Sequence, residues 1–350
     1  MTRGADDDGA GDERPMTVSS RFGYPPSPDR PRPAPRRLVL AGEAIVDVVM
    51  RVPALPERGG DMLAESGGVT AGGGFNVMAA AARHGLPVIY AGGHGTGPWG
   101  DLVRAALAAE GIRLLRPPDP ERDTGFDVAL VEPDAERTFV TQLGAEAMHG
   151  PGSWDAVPAG PGDAVYLSGY GLAAPETGSV LGRWAAGLPP AVLLFLDPGP
   201  LVAQIPAAVL DPVLARCDWL SCNLRESALM AGLLLAHSGT AETDSGAHSA
   251  MRLHDRTARA DIIVRAGAAG CQVALRTLAA PVHVPAPRVT AVDTTGAGDA
   301  HSGVFLAALA DGLPPLDAAA RANAAAAFAV TRPGPATAPT RAELDAWLSA

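Results

Sequence analysis

Hydrophobic patterning begins abruptly at residue 37. The stretch RRLVLAGEAIVDVVM (36–50) is a β-rich apolar run interrupted by Gly42 and Glu43. A Pro/Gly-rich segment (53–73) follows, and then FNVMAAAARHG, which predicts a helix closed by Gly85. Residues 87–91 predict a strand, and 99–111 a second helix ending in glycine. Residues 125–143 differ: apolar and polar positions alternate around Pro133-Asp134-Ala135, which predicts a hairpin with one wet face. Beyond Pro161 the rhythm becomes strand (164–169), helix (near 176–188), strand (191–198), then strand (219–222) running into NLRESALMAG. Three further strands are expected at 261–267, 272–277 and 282–287, followed by helices at 298–312, 316–330 and 341–349. Alternating units with apolar strands predict an α/β fold, a mainly parallel central sheet with helices on both faces. The strands near 48–70 and the 125–143 hairpin do not fit that layer and are expected to form a small β-lid over one edge. Residues 1–36, with seven prolines and balanced charge, predict a disordered N-terminal extension with Met16 as a second candidate start. The folded domain is then 37–350.

Composition narrows the chemistry. The net charge of −11 resides in the folded body, which argues against a nucleic-acid or anionic-membrane partner. All 27 basic residues are arginine. Without lysine there is no Schiff-base chemistry, no GxxxxGK[ST] phosphate loop and no protein-kinase strand lysine. Any phosphate must be held by backbone amides, arginine or metal. Cys217, Cys222 and Cys271 have no metal-ligand spacing and read as buried thiols of a reducing compartment. No apolar run reaches the ~18 residues that span a bilayer, and the N-terminus lacks a secretory segment, so a cytoplasmic location is expected.

The most informative segment is Asp293-Thr294-Thr295-Gly296-Ala297-Gly298-Asp299, which opens directly into a helix. Unpaired N–H groups and the positive end of the helix dipole make a lysine-free anion site there. Asp299, in the first turn, is placed to accept the proton of an attacking hydroxyl while the amides stabilise a migrating phosphoryl group. An ordinary helix start would use the same residue types.

DTTGAGD resembles the C-terminal signature of the ribokinase-like (PfkB) family of sugar and nucleoside kinases, and other landmarks stand in order. Ala71-Gly72-Gly73-Gly74-Phe75-Asn76 resembles the companion signature, which runs on to Gly95; Asp47 lies in GEAIVDVV; Asp197-Pro198 ends a strand. Asn223–Glu226 is NxxE, RAGAAG (265–270) matches the nucleotide loop, and Asn323 lies in the late Ala-rich helix. The resemblance covers about 37–350 and implies an ATP-dependent kinase acting on a hydroxymethyl group. It makes Asp299 the base and Gly296, Ala297 and Gly298 the anion hole. Asp47 and Asn76 would hold sugar hydroxyls, with Gly72, Gly73 and Gly74 allowing close approach. Glu226, with Asn223, would organise water around Mg2+, although NxxE after a strand is also a capping box. Arg265, Gly267 and Gly270 would lie beside the nucleotide, Asn323 near its base, and Asp293 and Thr295 at a site for K+. A homodimer through the lid strands is implied by the same analogy. His301, close by, reads as packing or a supporting donor.

Ala71, Met78 and Gly97 depart from the usual pattern and blur the acceptor, which stays open between ribose, fructose, a related ketose or acid, and a nucleoside. Two other classes compete. Gly95-Thr96-Gly97-Pro98-Trp99-Gly100 spells the dinucleotide fingerprint of an NAD-dependent oxidoreductase, but not in the first βαβ unit and with Pro98-Trp99 crowding a pyrophosphate. A non-catalytic sugar or nucleotide sensor would be expected to have lost the base.

Overall fold

A computed structural model describes residues 34–133, 137–234 and 246–350. The expected extension lies outside them up to residue 33, as does most of the expected 133–135 turn. Residues 34–36 already belong to the body, where the Arg36 amide donates to Gly162 O at 2.7 Å.

The apolar run from residue 37 divides at Gly42-Glu43 into two strands of different sheets, β1 (Arg37–Ala41) and β2 (Ala44–Arg51). β3 (Ser66–Gly73) leads into α1 (Gly74–Arg83), and β4 (Val88–Tyr90), α2 (Pro98–Ala109) and β5 (Arg113–Leu114) follow. The hairpin is β6 (Phe126–Val131) with β7 (Arg137–Gln142), paired antiparallel. β8 (Asp163–Ser168), α3 (Gly169–Ala173), α4 (Gly178–Ala186), β9 (Leu193–Asp197), α5 (Ala207–Arg216) and β10 (Trp219–Asn223) continue the alternation. Next come α6 (Leu224–Leu234), α7 (Gly246–Arg256), β11 (Asp261–Arg265), β12 (Cys271–Ala274) and β13 (Val282–Val284). The chain closes with α8 (Ala297–Ala310), α9 (Pro315–Ala329) and α10 (Arg341–Ser349).

Nine strands form the main sheet in the order β13-β12-β11-β10-β9-β8-β1-β4-β5, all running the same way except β12. Its strands are apolar on both faces because both are covered. Leu38 and Leu40 pack with α1, α8 and α9, while Val39 and Ala41 pack with α4 and α5. The second sheet, β3-β2-β6-β7, contains the expected lid strands but is drawn differently from the sequence expectation. β2 begins at residue 44 and β3 runs on to 73, while prolines and glycines keep 52–65 out of strand structure. β2 and β6 pair in parallel, setting Asp47 beside Asp127.

Helix α8 is apolar on almost every side and buried from Ala300 to Leu309. It crosses α1 closely because Gly303 has no side chain: a Cβ there would lie 2.5 Å from Val77 O and 2.7 Å from the Ala80 Cβ. That contact brings the first turns of the two helices together. Among the described residues, no helix is long and apolar enough to cross a membrane.

Candidate active site

Strand order reverses around β1, and the carboxyl ends of β1 and β8 open a crevice at that point, where ligands of open α/β sheets bind. A cavity of about 360 Å3 lies there, between the strand ends, the second sheet and the start of α8. Gly296 caps α8 in the left-handed region (φ 71°), and a Cβ on it would meet Pro335 O at 2.1 Å, so only glycine fits. Asp299 stands one turn in and lines the cavity with Gly296 and Thr295.

From α1, Asn76 Nδ2 donates to Asp299 Oδ2 at 3.1 Å. Burial, reinforced by Asp197, lifts the Asp299 carboxyl to about 7, against the Asn76 hydrogen bond and Arg265. An acid poised there suits a general base at neutral pH. Asp47 and Asp127, both buried, face the same space from the second sheet. Burial, then the charges of Asp127 and Asp299, pushes Asp47 to about 8, and burial pushes Asp127 to about 6. Gly72 is needed against Asp47, because a Cβ there would fall 1.9 Å from its Oδ1. Gly73 lines the cavity, whereas Gly74 faces Glu43 O and Leu40.

Sequence reasoning missed Glu43, Asp127, Glu146 and Tyr170, all of which line the cavity. Glu43 accepts from Ser168 Oγ at 2.6 Å and is raised to about 7 by burial. Its Oε2, with Asp127 Oδ1 and Asn76 Oδ1, is buried without a hydrogen-bond partner. Buried acceptors of this kind call for a ligand rich in donors. Glu146 differs, since both its oxygens are taken by the amides of Gly125 and Gly144. Together these give a cavity lined by five carboxylates and, among the described residues, by no arginine or histidine.

Several expected nucleotide contacts lie outside this cavity. Asn223 and Glu226 form the reciprocal capping box of α6, each side chain accepting from the other's amide at 2.8 Å. Arg265 is a strut beneath α8: it donates to Asp197 Oδ2 at 2.7 Å, to Ser302 Oγ at 3.2 Å and to Gly298 O at 3.3 Å. Gly267 (φ 58°) and Gly270 (φ 93°) turn the loop between β11 and β12. Asn323, expected near the base, is buried with its amide spent on Val284 O at 2.9 Å and Pro285 O at 3.3 Å. Through these bonds it holds the end of β13. His301 is buried against Phe305, and burial lowers it to about 3, which keeps it neutral.

The dinucleotide fingerprint has a structural explanation. At the start of α2, where a pyrophosphate would sit, the amides of Trp99 and Gly100 already donate to the Asp123 carboxylate at 3.0 and 2.7 Å. A Cβ at Gly97 would strike that carboxylate at 2.2 Å, so these glycines serve an internal cap.

Asp293 and Thr295 do not fit a bound K+. Asp293 Oδ1 accepts from the Thr295 amide (2.9 Å), the Thr295 hydroxyl (2.7 Å) and Arg137 (3.0 Å). Its Oδ2 accepts from the Gly334 amide (3.2 Å) and Arg51 (3.5 Å). Both oxygens are thus already met by donors, two of them guanidinium groups, so a cation bound at this carboxylate would face two like charges. No group of three or more His, Cys, Asp or Glu suited to a metal occurs among the described residues.

A crevice at the carboxyl ends of inner strands, a half-buried carboxylate in the first turn of a helix and a cavity of unpaired acceptors are what an α/β kinase of small alcohols would need. Comparison with known proteins places the chain within that class: residues 35–342 match the pfkB family carbohydrate kinase, and the protein belongs to that family of ATP-dependent carbohydrate kinases. It is 36% identical over 308 residues to an uncharacterized sugar kinase, YegV, of Escherichia coli, covering 88% of this chain and 92% of that one. A fructokinase of Klebsiella pneumoniae is 30% identical, covering 86% and 95%. Among solved structures, a ribokinase of Thermotoga maritima superposes with a TM-score of 0.73 at 22% identity over 90% of this chain and 99% of that one. Arabidopsis thaliana ribokinase complexed with ribose and ATP gives 0.70 at 24%, over 91% and 100%. Hydride transfer and a non-catalytic sensor are set aside by this membership.

Proposed function

We propose that the protein transfers the γ-phosphoryl group of ATP to a hydroxymethyl group of a small, uncharged sugar, with Asp299 as base and the amides of 296–298 as anion hole. The observation that carries this reading is Asp299: it is half-buried on the floor of a carboxylate-lined cavity, hydrogen-bonded to Asn76 and opposite Asp47 and Asp127. Sugar hydroxyls are donors, and the unpartnered oxygens of Asp127, Glu43 and Asn76 offer acceptors to meet them, with Asp47 in the same wall. An acceptor bearing phosphate or carboxylate would be repelled, because nothing basic lines the cavity among the described residues. A nucleoside is the second reading, favoured by the apolar wall of Ala173, Ala174, Pro175, Leu181 and Leu201 across from the carboxylates.

Mg2+ carried on the ATP phosphates would supply charge neutralisation in the transition state. Glu226, buried and shared between Asn223 and Arg265, fits contact with such an ion through water better than direct ligation. Apolar side chains exposed on the second sheet, Val69, Phe139 and Val140 among them, support a homodimer through that sheet, which a strictly monomeric sedimentation profile would reject.

The test is ADP release with ribose, fructose, a nucleoside, a sugar acid and a sugar phosphate. The neutral acceptors are expected to turn over and the anionic ones to fail. Asp299→Asn should lower kcat by ~10²–10⁴ while acceptor-induced thermal stabilisation persists. Near-normal turnover in that variant would remove Asp299 from the mechanism.

A further inference from the structure

Asp293 and Thr295 begin the loop whose next residues cap α8, so whatever balances the Asp293 charge also shapes the anion hole. That balance comes from the second sheet. Arg137, on β7, donates to Asp293 Oδ1 and to Thr294 Oγ1, both at 3.0 Å. Arg51, at the end of β2, reaches Asp293 Oδ2 at 3.5 Å. The two guanidinium groups address different oxygens of one largely buried carboxylate.

We propose that Arg137, seconded by Arg51, takes the charge-balancing place of a monovalent cation at Asp293, so that phosphoryl transfer proceeds without K+. An unbalanced carboxylate here would place negative charge beside amides that must receive a phosphoryl group. Arg137 is therefore a positioning residue. Because β7 and β2 carry both arginines, the loop takes its working shape only when the second sheet is seated on it. A guanidinium stays protonated at any working pH and, unlike a free ion, cannot be diluted away.

The geometry also provides a rescue. A second cavity, of about 420 Å3, borders Asp293 and Thr295, with Arg51, Val49 and Pro333 in its wall. Removing the Arg137 side chain would leave Asp293 Oδ1 without its cation, beside a space open to small ions.

This proposal rests on the kinase reading, and the experiment keeps the two apart. Turnover with a neutral acceptor is measured in KCl, NaCl and choline chloride at equal ionic strength, beside thermal melts of the same samples without acceptor. The wild type is expected to be indifferent to the cation in both measurements. Arg137→Ala should lose activity by about tenfold or more in choline, regain most of it in KCl, and melt higher in KCl than in choline. Arg137→Lys, which keeps a charge at that place, should remain indifferent. Activation of the wild type by K+ of about fivefold or more, or an Arg137→Ala variant that K+ neither reactivates nor stabilises, would overturn the proposal. If the wild type releases no ADP with any acceptor, the kinase reading fails instead, and the melts of Arg137→Ala in KCl and choline still decide the cation question.

Discussion

Removing the amide of Asn76 gives the sharpest test of how Asp299 is tuned. In the free protein Asn76 Nδ2 donates to Asp299 Oδ2 at 3.1 Å, one of two influences that hold the carboxyl down; the other is Arg265. Burial, Asp197 and Glu226 push the other way and set it at about 7. A hydrogen bond to a charged acceptor contributes about 1.5–3 kcal/mol, and one pKa unit corresponds to about 1.4 kcal/mol. The full effect would be roughly one to two units. Water entering the space left by Asn76→Ala screens part of the loss, which leaves about one unit. Asp299 must be ionised to take a proton, so activity is lost as pH falls through its pKa, and a higher pKa moves that acid limb to higher pH. The assay is kcat/KM for the acceptor, at saturating ATP, across the acid limb, because this parameter reports groups of the free enzyme. Asn76→Ala should carry the limb about one unit upward, so that well below it the variant loses a further factor of about ten relative to its plateau. A uniform drop at every pH with an unmoved limb would refute the reasoning and reduce Asn76 to a contact for the acceptor.

Two further outcomes are expected. The carboxyls of Glu43, Asp47 and Asp127 are raised by burial to about 7, 8 and 6, so the ligand-free fold binds more protons than the unfolded chain. The stability this confers is complete below the ordinary carboxylate range and is lost as pH rises through those values. Asp47→Asn should therefore melt a few degrees above wild type near pH 8 and level with it near pH 4, and parallel melting curves across that range would count against the burial argument. Gly303→Ala places a Cβ 2.5 Å from Val77 O and should cost about 1–3 kcal/mol in denaturant unfolding. It should also lower kcat in the folded fraction by prising Asn76 from Asp299, an effect that unchanged kcat would exclude.

The layered sheet, most of its strands and the helix opening after Gly296 were legible because each rests on local pattern: apolar strands, glycine-closed helices and a small-residue loop opening into a helix; the helices α5 and α7 were not read. Asp299, Asp47 and Asn76 were legible through motifs, and the structure gathers them around one cavity. Glu43 and Asp127 carried no such mark, being single polar residues in apolar stretches. Only the parallel pairing of β2 with β6, eighty positions apart in sequence, makes Asp127 the neighbour of Asp47. The GxGxxG at 95–100 misled for a related reason, since the carboxylate that fills its helix start, Asp123, comes from a distant loop. Arg265 and Asn323 were found in the sequence but not their orientation, because burial beneath α8 and behind β13 is set by packing that no short motif records.

The floor of the site and its walls come from different material. Asp299, Gly296 and Asn76 stand at the starts of helices in the interior, whereas Asp47 and Asp127 stand on the second sheet, whose far strand β7 is largely exposed, and Tyr170 on a short helix after β8. On the proposed reading, residues on the walls can be traded to change which alcohol enters while the floor is kept. The reverse trade is narrower: at Gly303, where the two helices cross, added bulk would disturb the fold and the floor together.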